Sequence, residues 1–151
     1  MSGTKLLISA TSGGHLTEAL LLLKPLCQSD DYHVSLFTES CIRSFTNKTF
    51  MYKSPDIPVL KLILSFIYAF YVIIRFRPDW VISTGAEVGF STILVAKIFR
   101  RNTMFIETVT RYKSATRAAR LCYPLVNKFY VQHDEALVLF GPKAQYIGGL
   151  M

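Results

Sequence analysis

The sequence lacks a hydrophobic run long enough to cross a membrane without a charge inside it. Its longest apolar stretch, Val59–Ile74, is interrupted by Lys61, and the uncharged part Leu62–Ile74 has 13 residues. A spanning helix needs about 20 apolar residues, so an integral membrane protein is not expected. The apolar start Lys5–Ala10 is too short for a secretory signal and has neither a basic region before it nor a cleavage site after it.

Cysteine is scarce and scattered. The three cysteines (Cys27, Cys41 and Cys122) are odd in number and form no CxxC pair. This usage points to a reducing compartment and argues against a disulfide scaffold or a zinc site. The three histidines are also far apart and show no HxxxH spacing, so we expect no metal.

The signatures of several cofactor and catalytic classes are missing. The chain has no GxGxxG turn, no GK[ST] phosphate loop and no GxSxG elbow. No acidic residue is evident downstream of the first glycine turn at the position that would hydrogen-bond the ribose of a dinucleotide. The sequence therefore predicts no nicotinamide or other resident cofactor.

What remains is the composition of a single packed domain. The chain has 151 residues, 51% of them hydrophobic, and its mean hydropathy of +0.33 is high for a soluble protein. This length fits one domain, residues 1–151, and the apolar fraction excludes wholesale disorder.

The positive charge is concentrated in one part of the sequence. The segment Lys97–Lys128 carries eight basic residues and one acid, Glu107, and so holds the entire net charge of +7. The rest of the chain is balanced. Such a segment attracts anions such as phosphates, nucleic acid or an acidic membrane surface, although a solvated face is the plainer alternative.

Strand-like and helix-like segments alternate along the chain. Short apolar runs predict strands at 5–10, 33–38, 49–53, 78–84, 103–107 and 128–131. Helices are predicted at 16–27, 59–77, 90–99 and 117–126. This alternation indicates an α/β fold with a parallel sheet flanked by helices.

Two glycine turns follow predicted strands and precede predicted helices. Gly13 and Gly14 lead into His15, and Gly85 and Ala86 lead into Glu87. Ligands of open parallel sheets bind beyond the carboxyl ends of the strands, where both turns would lie. His15 could move a proton or hold a polar group of a substrate, or simply cap the helix.

Further polar residues are expected at the same edge of the sheet. Glu107 ends a predicted strand and could act as a base, bind sugar hydroxyls or pair with Arg111. Gln132 and His133 follow the last predicted strand. The segment 59–77, with Phe66, Tyr68, Phe70, Tyr71, Arg75 and Arg77, is either a buried helix or one that contacts a membrane surface.

Four motifs in order resemble one family. They are the segments Ser12–Glu18, Pro78–Ala86, Phe105–Glu107 with Arg111, and Phe129–Gln132. Together they resemble the PssD/CpsF family of bacterial polysaccharide-biosynthesis proteins. The eukaryotic relatives of that family are the membrane-anchoring subunit of the two-chain N-acetylglucosaminyltransferase that extends dolichol-linked oligosaccharide. The glycine turns are also similar to the N-terminal half of the lipid-linked peptidoglycan N-acetylglucosaminyltransferase, a GT-B enzyme.

The resemblance implies half of an enzyme. It predicts a Rossmann-like, acceptor-side domain corresponding to the N-terminal half of a GT-B glycosyltransferase, with the catalytic C-terminal half on a partner chain. That partner would bind most of the UDP-sugar donor. The implied reaction transfers a sugar to a polyprenyl-diphosphate-linked saccharide in capsular or exopolysaccharide biosynthesis. The chain would lie on the cytoplasmic face of the cell membrane and have little activity alone.

The resemblance also implies roles for particular residues. His15 is the first candidate for the base and Glu107 the second. The candidate substrate-binding residues are Gly13, Gly14, Thr17, Glu18, Gly85, Ala86, Glu87, Arg111, Gln132 and His133. The charge pattern, rather than the resemblance, adds Arg100, Arg101 and Arg117 to the segment 59–77 as candidate membrane contacts.

The sequence departs from the family in two places. Relatives commonly have Trp where this chain has His133, and the eukaryotic proteins carry an N-terminal membrane helix that is not seen here. The alternatives are a basic nucleic-acid-binding module and a self-sufficient nucleotide-sugar enzyme. The first lacks any recognisable nucleic-acid-binding motif, so no nucleic-acid partner is expected.

Overall fold

The computed structural model describes residues 3–39 and 48–149, which form a parallel sheet with helices on both faces. The strands are β1 (Thr4–Ala10), β2 (Tyr32–Thr38), β3 (Lys48–Met51), β4 (Trp80–Ser83), β5 (Asn102–Ile106), β6 (Lys128–Val131) and β7 (Ala144–Tyr146). The helices are α1 (Gly14–Leu26), α2 (Pro58–Phe76), α3 (Ala86–Ile98) and α4 (Arg117–Cys122), with a 3₁₀ helix at Asp134–Leu139.

The strand order is β3-β2-β1-β4-β5-β6-β7, and every described pair is parallel. The chain moves outward in one direction from β1 to β3 and in the other direction from β4 to β7. The order therefore reverses between β1 and β4, which is the switch point where doubly wound sheets bind ligands. This sheet with its flanking helices confirms the predicted Rossmann-like fold class.

The core has two layers because the sheet is covered on both faces. The inner strands are almost continuously buried, which explains why their sequences read as uninterrupted apolar runs. Helices α2, α3 and α4 cover one face, where Phe105 and Phe129 stack with ring centroids 5.3 Å apart. Helix α1 covers the other face, where Leu23 is fully buried.

Two helix boundaries differ from the prediction for identifiable reasons. Helix α3 begins at Ala86 rather than Phe90, because the positive φ of Gly85 (123°) lets the chain turn directly from β4 into the helix. Helix α4 ends at Cys122 rather than Val126, since Pro124 follows and cannot continue the helix. The short strand β7 and the 3₁₀ helix were not predicted.

Of the three cysteines, two lie in the described part of the chain and both are free thiols. Cys122 is fully buried, and burial together with the nearby charge of Glu107 raises the pKa of its thiol to about 12. Such a thiol is inert, so its place in the core is structural. Cys41 lies outside the described residues.

Candidate functional site

The two glycine turns meet at the switch point of the sheet. Gly13 (φ 91°) follows β1, and Gly85 (φ 123°) follows the neighbouring strand β4. No side chain caps the N-terminus of α1 or of α3, which begin directly after these turns. The structure therefore brings two glycine turns and two helix N-termini together at one edge, and such termini favour anions.

His15 joins the two turns through its ring and its backbone. Its Nδ1 lies 2.6 Å from the carbonyl oxygen of Thr84, while the hydroxyl of Thr84 donates to the carbonyl oxygen of His15 at 2.8 Å. The ring packs on Gly85, where an added Cβ would lie 2.7 Å from Cε1 of His15. Glycine is therefore required at this position by sterics as well as by φ.

The hydrogen bond at Nδ1 also determines which ring nitrogen can act as a base. A carbonyl oxygen only accepts, so in the neutral ring Nδ1 carries the proton and Nε2 holds the lone pair. Within residues 3–39 and 48–149, no hydrogen bond to Nε2 of His15 is present. The half-buried ring thus has the tautomer that a general base needs.

Glu107, the second candidate base, is enclosed. Its side chain is only 1% exposed, and both carboxylate oxygens accept hydrogen bonds. The backbone N–H of Thr108 donates to Oε1 at 3.0 Å, and the N–H and hydroxyl of Thr116 donate at 3.1 Å. Burial raises the pKa of Glu107, and these hydrogen bonds and the nearby His15 oppose that rise.

The expected alternative of a Glu107–Arg111 salt bridge is not formed in the structure. Arg111 instead lies exposed, and its guanidinium donates to the hydroxyl of Ser114 at 3.4 Å. The partners of Glu107 come from both ends of the loop that joins β5 to α4. Its carboxylate therefore holds this loop, residues 108–116, in place.

Glu18 holds the same loop from helix α1. Its Oε1 accepts hydrogen bonds from the hydroxyl of Thr108 at 2.8 Å and from the N–H of Val109 at 3.0 Å. The side chain is 1% exposed, and its Oε2 has no hydrogen-bond partner among the described residues. Glu18 faces the buried interior, whereas Thr17 is exposed beside the Gly13 turn and donates to the Gly13 carbonyl at 3.4 Å.

Gln132 and His133 reach the loop from the end of β6. The side-chain amide of Gln132 donates to the carbonyl oxygen of Glu107 at 2.9 Å. His133 places Nε2 2.7 Å from the carbonyl oxygen of Val109, and its ring lies 5.4 Å from that of Tyr112. The sequence-predicted residues from β1, β5 and β6 thus converge on one edge, as expected for parallel strands.

A polar cleft at the same edge was missed by the sequence analysis. It has a volume of about 560 Å³ and lies at the ends of β1 and β2, on the other side of the switch point from Glu107. It is lined by Ser12, Glu39, Lys53, Ser54, Pro55, Asp56, Pro58, Lys61 and Glu87. The signal available in the sequence was Lys61, a single charge in an apolar helix, which requires a partner.

The ion pairs of Lys61 organise this cleft. Its Nζ lies 3.1 Å from Oε2 of Glu39 and 3.9 Å from Oε2 of Glu87. Burial alone would raise the pKa of Glu39, but hydrogen bonds from Lys61, Ser54 and Ser12 and the charge of Lys61 outweigh it and lower that pKa. Glu39 is therefore a carboxylate at neutral pH.

Helix α2 presents an unusually apolar outer surface. Val59, Ile63, Ile67, Tyr71 and Ile74 are each at least half exposed and recur at helical spacing; we call them the α2 apolar face. In the described part of the chain, α2 is the one helix with the length and composition to cross a membrane. Its opposite side packs against α3 and the sheet, so by itself this composition is weak evidence of a span.

The aromatic candidates for membrane contact differ in exposure, since Phe66 is half-buried whereas Tyr68, Phe70 and Tyr71 are exposed. Phe66 is half-buried and packs edge-on against Phe90, and Tyr68 stacks on Tyr52 with centroids 5.2 Å apart. Tyr71 is 57% exposed on the α2 apolar face. Phe70 is partly exposed and contacts Phe99, which extends the apolar surface onto the end of α3. The aliphatic residues of this face were not singled out from the sequence.

The basic segment is divided by the fold. Arg111 and Arg117 lie at the carboxyl edge, because the loop and the start of α4 follow β5. Arg100 and Arg101 lie at the amino edge, between the end of α3 and the start of β5, where α2 also brings Arg75 and Arg77. One sequence segment thus supplies two separate basic regions.

The fold defines the class to which this chain belongs. It has the Rossmann-like architecture of one half of a GT-B protein, with its candidate site at the open carboxyl edge. The sequence model of the Alg14-like family of oligosaccharide biosynthesis proteins matches residues 52–150. Since this match spans well over half of the chain, the protein belongs to that family. No curated protein sequence matches the chain significantly.

Solved structures share the fold. MurG from Acinetobacter baumannii matches 95% of this chain at 13% identity and a TM-score of 0.77, and UDP-GlcNAc 2-epimerase from Neisseria meningitidis matches 97% at 12% identity and a TM-score of 0.78. The S. aureus MnaA–UDP structure matches 97% at 13% identity and a TM-score of 0.77. This chain spans 45%, 47% and 44% of those chains, respectively.

Proposed function

We propose that this protein is the acceptor-side subunit of a two-chain GT-B glycosyltransferase. The pair would transfer a sugar from a UDP-sugar to a saccharide on a polyprenyl diphosphate, in the biosynthesis of a capsular or extracellular polysaccharide. A catalytic partner chain supplies the second half and holds most of the donor. Membership of the Alg14-like family and a fold that covers less than half of its GT-B neighbours support this proposal.

The observation that carries the proposal is the state of His15. Its ring is fixed between the two glycine turns with the proton on Nδ1, so Nε2 carries a lone pair that no described residue engages in a hydrogen bond. A glycosyl transfer needs a base for the acceptor hydroxyl at the point where donor and acceptor meet. His15 supplies that base at the edge where a second half would close the cleft.

The proposed step balances as follows. Nε2 of His15 takes the proton of the acceptor hydroxyl as the oxygen forms a bond to the anomeric carbon. The bond from that carbon to the donor diphosphate breaks, and UDP leaves with the electron pair. The uncapped N-termini of α1 and α3 favour the developing negative charge.

The same arrangement explains the position of the other candidates. The glycines Gly13, Gly14 and Gly85 let ligand atoms approach the backbone, and Ala86 continues the second turn with a φ of 60°. Glu87 and Glu39 offer carboxylate oxygens to saccharide hydroxyls. The α2 apolar face keeps the protein at the cytoplasmic membrane surface, where the lipid-linked acceptor is found.

Reconstitution tests the proposal. The purified chain, mixed with a partner chain that carries a C-terminal GT-B half, is expected to transfer sugar from a UDP-sugar to a polyprenyl-diphosphate saccharide in detergent. We expect the rate of each chain alone to be at least about 100-fold lower, because each carries half of the cleft. Full turnover by this chain alone would identify it as a self-sufficient enzyme. Salt-sensitive RNA binding without transferase activity would favour a nucleic-acid module.

The membrane assignment has its own test. The double substitution Ile63→Glu with Ile67→Glu places two charges on the α2 apolar face without touching its buried side, so we expect binding to anionic liposomes to fall by about tenfold or more. The measurement is co-sedimentation with phosphatidylglycerol vesicles. Leu21→Glu, at a 40% exposed leucine of α1, is the control and should leave liposome binding unchanged. Equal binding by both variants would show that α2 is not the contact surface.

A further inference from the structure

A groove between α2, α3 and α4 opens at the same edge as His15. It has a volume of about 330 Å³ and lies between the start of α3 and the first turns of α4. Its lining residues are Leu62, Ala86, Glu87, Phe90, Arg117, Ala118 and Leu121. None of the site chemistry described above uses its apolar walls.

The walls are apolar and partly open to solvent. Leu62 is 36% exposed and Leu121 is 53% exposed, and the half-buried Phe90 also lines the groove. Leaving such side chains uncovered costs free energy, so an apolar ligand gains affinity by covering them. The ligand must therefore be apolar along most of its length.

The two ends of the groove differ. At the site end, Ala86 directly follows Gly85, on which the ring of His15 packs. At the outer end, Leu62 belongs to α2, the helix with the apolar surface assigned to membrane contact. The groove thus borders helix α2 on one side and the turn at Gly85 on the other.

The groove is lined by one cation, Arg117, and one carboxylate, Glu87, whose Oε2 lies 3.9 Å from Nζ of Lys61. Arg117 is exposed, and within residues 3–39 and 48–149 it takes part in no ion pair. It stands at the N-terminus of α4, close to the start of α3. A guanidinium binds phosphate oxygens in a bidentate manner, so this end of the groove suits a phosphate group.

We propose that this groove binds the first isoprene units of a polyprenyl diphosphate, with Arg117 contacting its diphosphate. An occupant that is apolar along its length and anionic at one end matches both the walls and the single cation. The rest of the chain of the lipid would stay in the bilayer beside α2. This assignment rests on the proposed function, since it identifies where the acceptor lipid of that reaction lies.

The test measures lipid binding without the partner or the donor. The full chain in dodecyl maltoside micelles is titrated with a fluorescent geranylgeranyl diphosphate, in competition with geranylgeraniol or inorganic diphosphate. We expect the diphosphate lipid to bind about tenfold more tightly than either competitor, because only it occupies both ends. If inorganic diphosphate competes as well as the lipid, the groove plays no part and the proposal fails.

Two variants locate the site, each with a matched control. Leu121→Trp fills the groove and is expected to weaken lipid binding by about tenfold, whereas Leu21→Trp on α1 should not change it. Arg117→Gln should weaken binding of the diphosphate lipid and leave that of geranylgeraniol unchanged. The control for this charge is Arg120→Gln, on the same helix and outside the groove.

The outcomes also separate this inference from the proposed function. If Leu121→Trp weakens association with the partner chain but not lipid binding, the groove is a protein interface and the lipid assignment is wrong. If the lipid binds in the groove but the reconstituted pair transfers no sugar, the lipid assignment of the groove is confirmed and the proposed function is wrong. If the pair transfers sugar and Leu121→Trp leaves both lipid affinity and the acceptor KM unchanged, only the groove assignment falls.

Discussion

Replacement of His15 by alanine should lower kcat of the reconstituted pair by about 10²–10⁴-fold, the contribution of a positioned general base. The substitution removes Nε2 from the point where both glycine turns meet and leaves the Thr84 carbonyl without its ring partner. The measurement is the initial rate of sugar transfer at saturating donor and acceptor.

Two further variants test whether the loss of kcat depends on the position of the His15 ring. Gly85→Ala leaves His15 in the chain but brings a methyl group to within 2.7 Å of its Cε1, so we expect a loss of kcat without loss of the ring. His33→Ala, an exposed histidine at the amino edge, should leave the rate unchanged. If His15→Ala keeps kcat within about twofold of the native value, His15 is not the base.

Replacement of Glu107 by alanine should lower the free energy of unfolding by about 3 kcal/mol. The buried N–H group of Thr108 and the partly buried N–H group of Thr116 would lose their acceptor, and each unsatisfied buried donor costs about 1–3 kcal/mol. The measurement is urea denaturation followed by circular dichroism. Glu135→Ala, at an exposed position of the 3₁₀ helix, is the control and should change stability by less than about 0.5 kcal/mol.

The raised pKa of Glu107 adds a pH dependence with a definite sign. The folded protein holds the Glu107 proton more tightly than the unfolded chain, so the group stabilises the fold most at low pH. That contribution is lost as pH rises from the unfolded pKa, near 4.5, through the higher folded pKa. The native protein should therefore lose stability relative to the Glu107→Gln variant as the pH rises. A difference independent of pH would contradict the burial of a titrating carboxyl.

The two roles predicted for Glu107 separate on these measurements. If Glu107 is a base, the Glu107→Gln variant should have a lower kcat, while its stability and its KM should remain near the native values. A carboxylate that positions the loop 108–116 would instead alter stability and the acceptor KM, since that loop carries Arg111. The hydrogen bonds of Glu107 favour the second result, and its role as a base remains a prediction.

The sheet and the convergence of residues could be predicted because they follow from pattern. Continuous apolar runs such as Lys5–Ala10 identify strands covered on both faces, and their alternation with helices requires parallel pairing. Once the strands are parallel, residues that follow them, such as His15, Glu107 and Gln132, must reach the same edge. The placement of these residues at one edge could therefore be predicted without knowing any contact between distant parts of the chain.

The directions of individual side chains could not be predicted in the same way. His15 and Glu18 are three residues apart on one helix, yet His15 packs on Gly85 while Glu18 is buried against Thr108. The difference depends on the loop 108–116, about 90 residues further along the chain. The polar cleft was missed for the same reason, because Glu39 and Lys61 become neighbours only in the folded chain.

Lys61 connects helix α2, which carries the α2 apolar face, with the polar cleft at the carboxyl edge of the sheet. It belongs to the helix whose outer side carries the α2 apolar face, while its ammonium group holds Glu39 at 3.1 Å inside the polar cleft. A change in the tilt of α2 therefore changes an ion pair at the carboxyl edge. Under the proposed membrane contact, a single helix therefore carries both the surface that meets the bilayer and the ammonium group that pairs with Glu39 in the cleft.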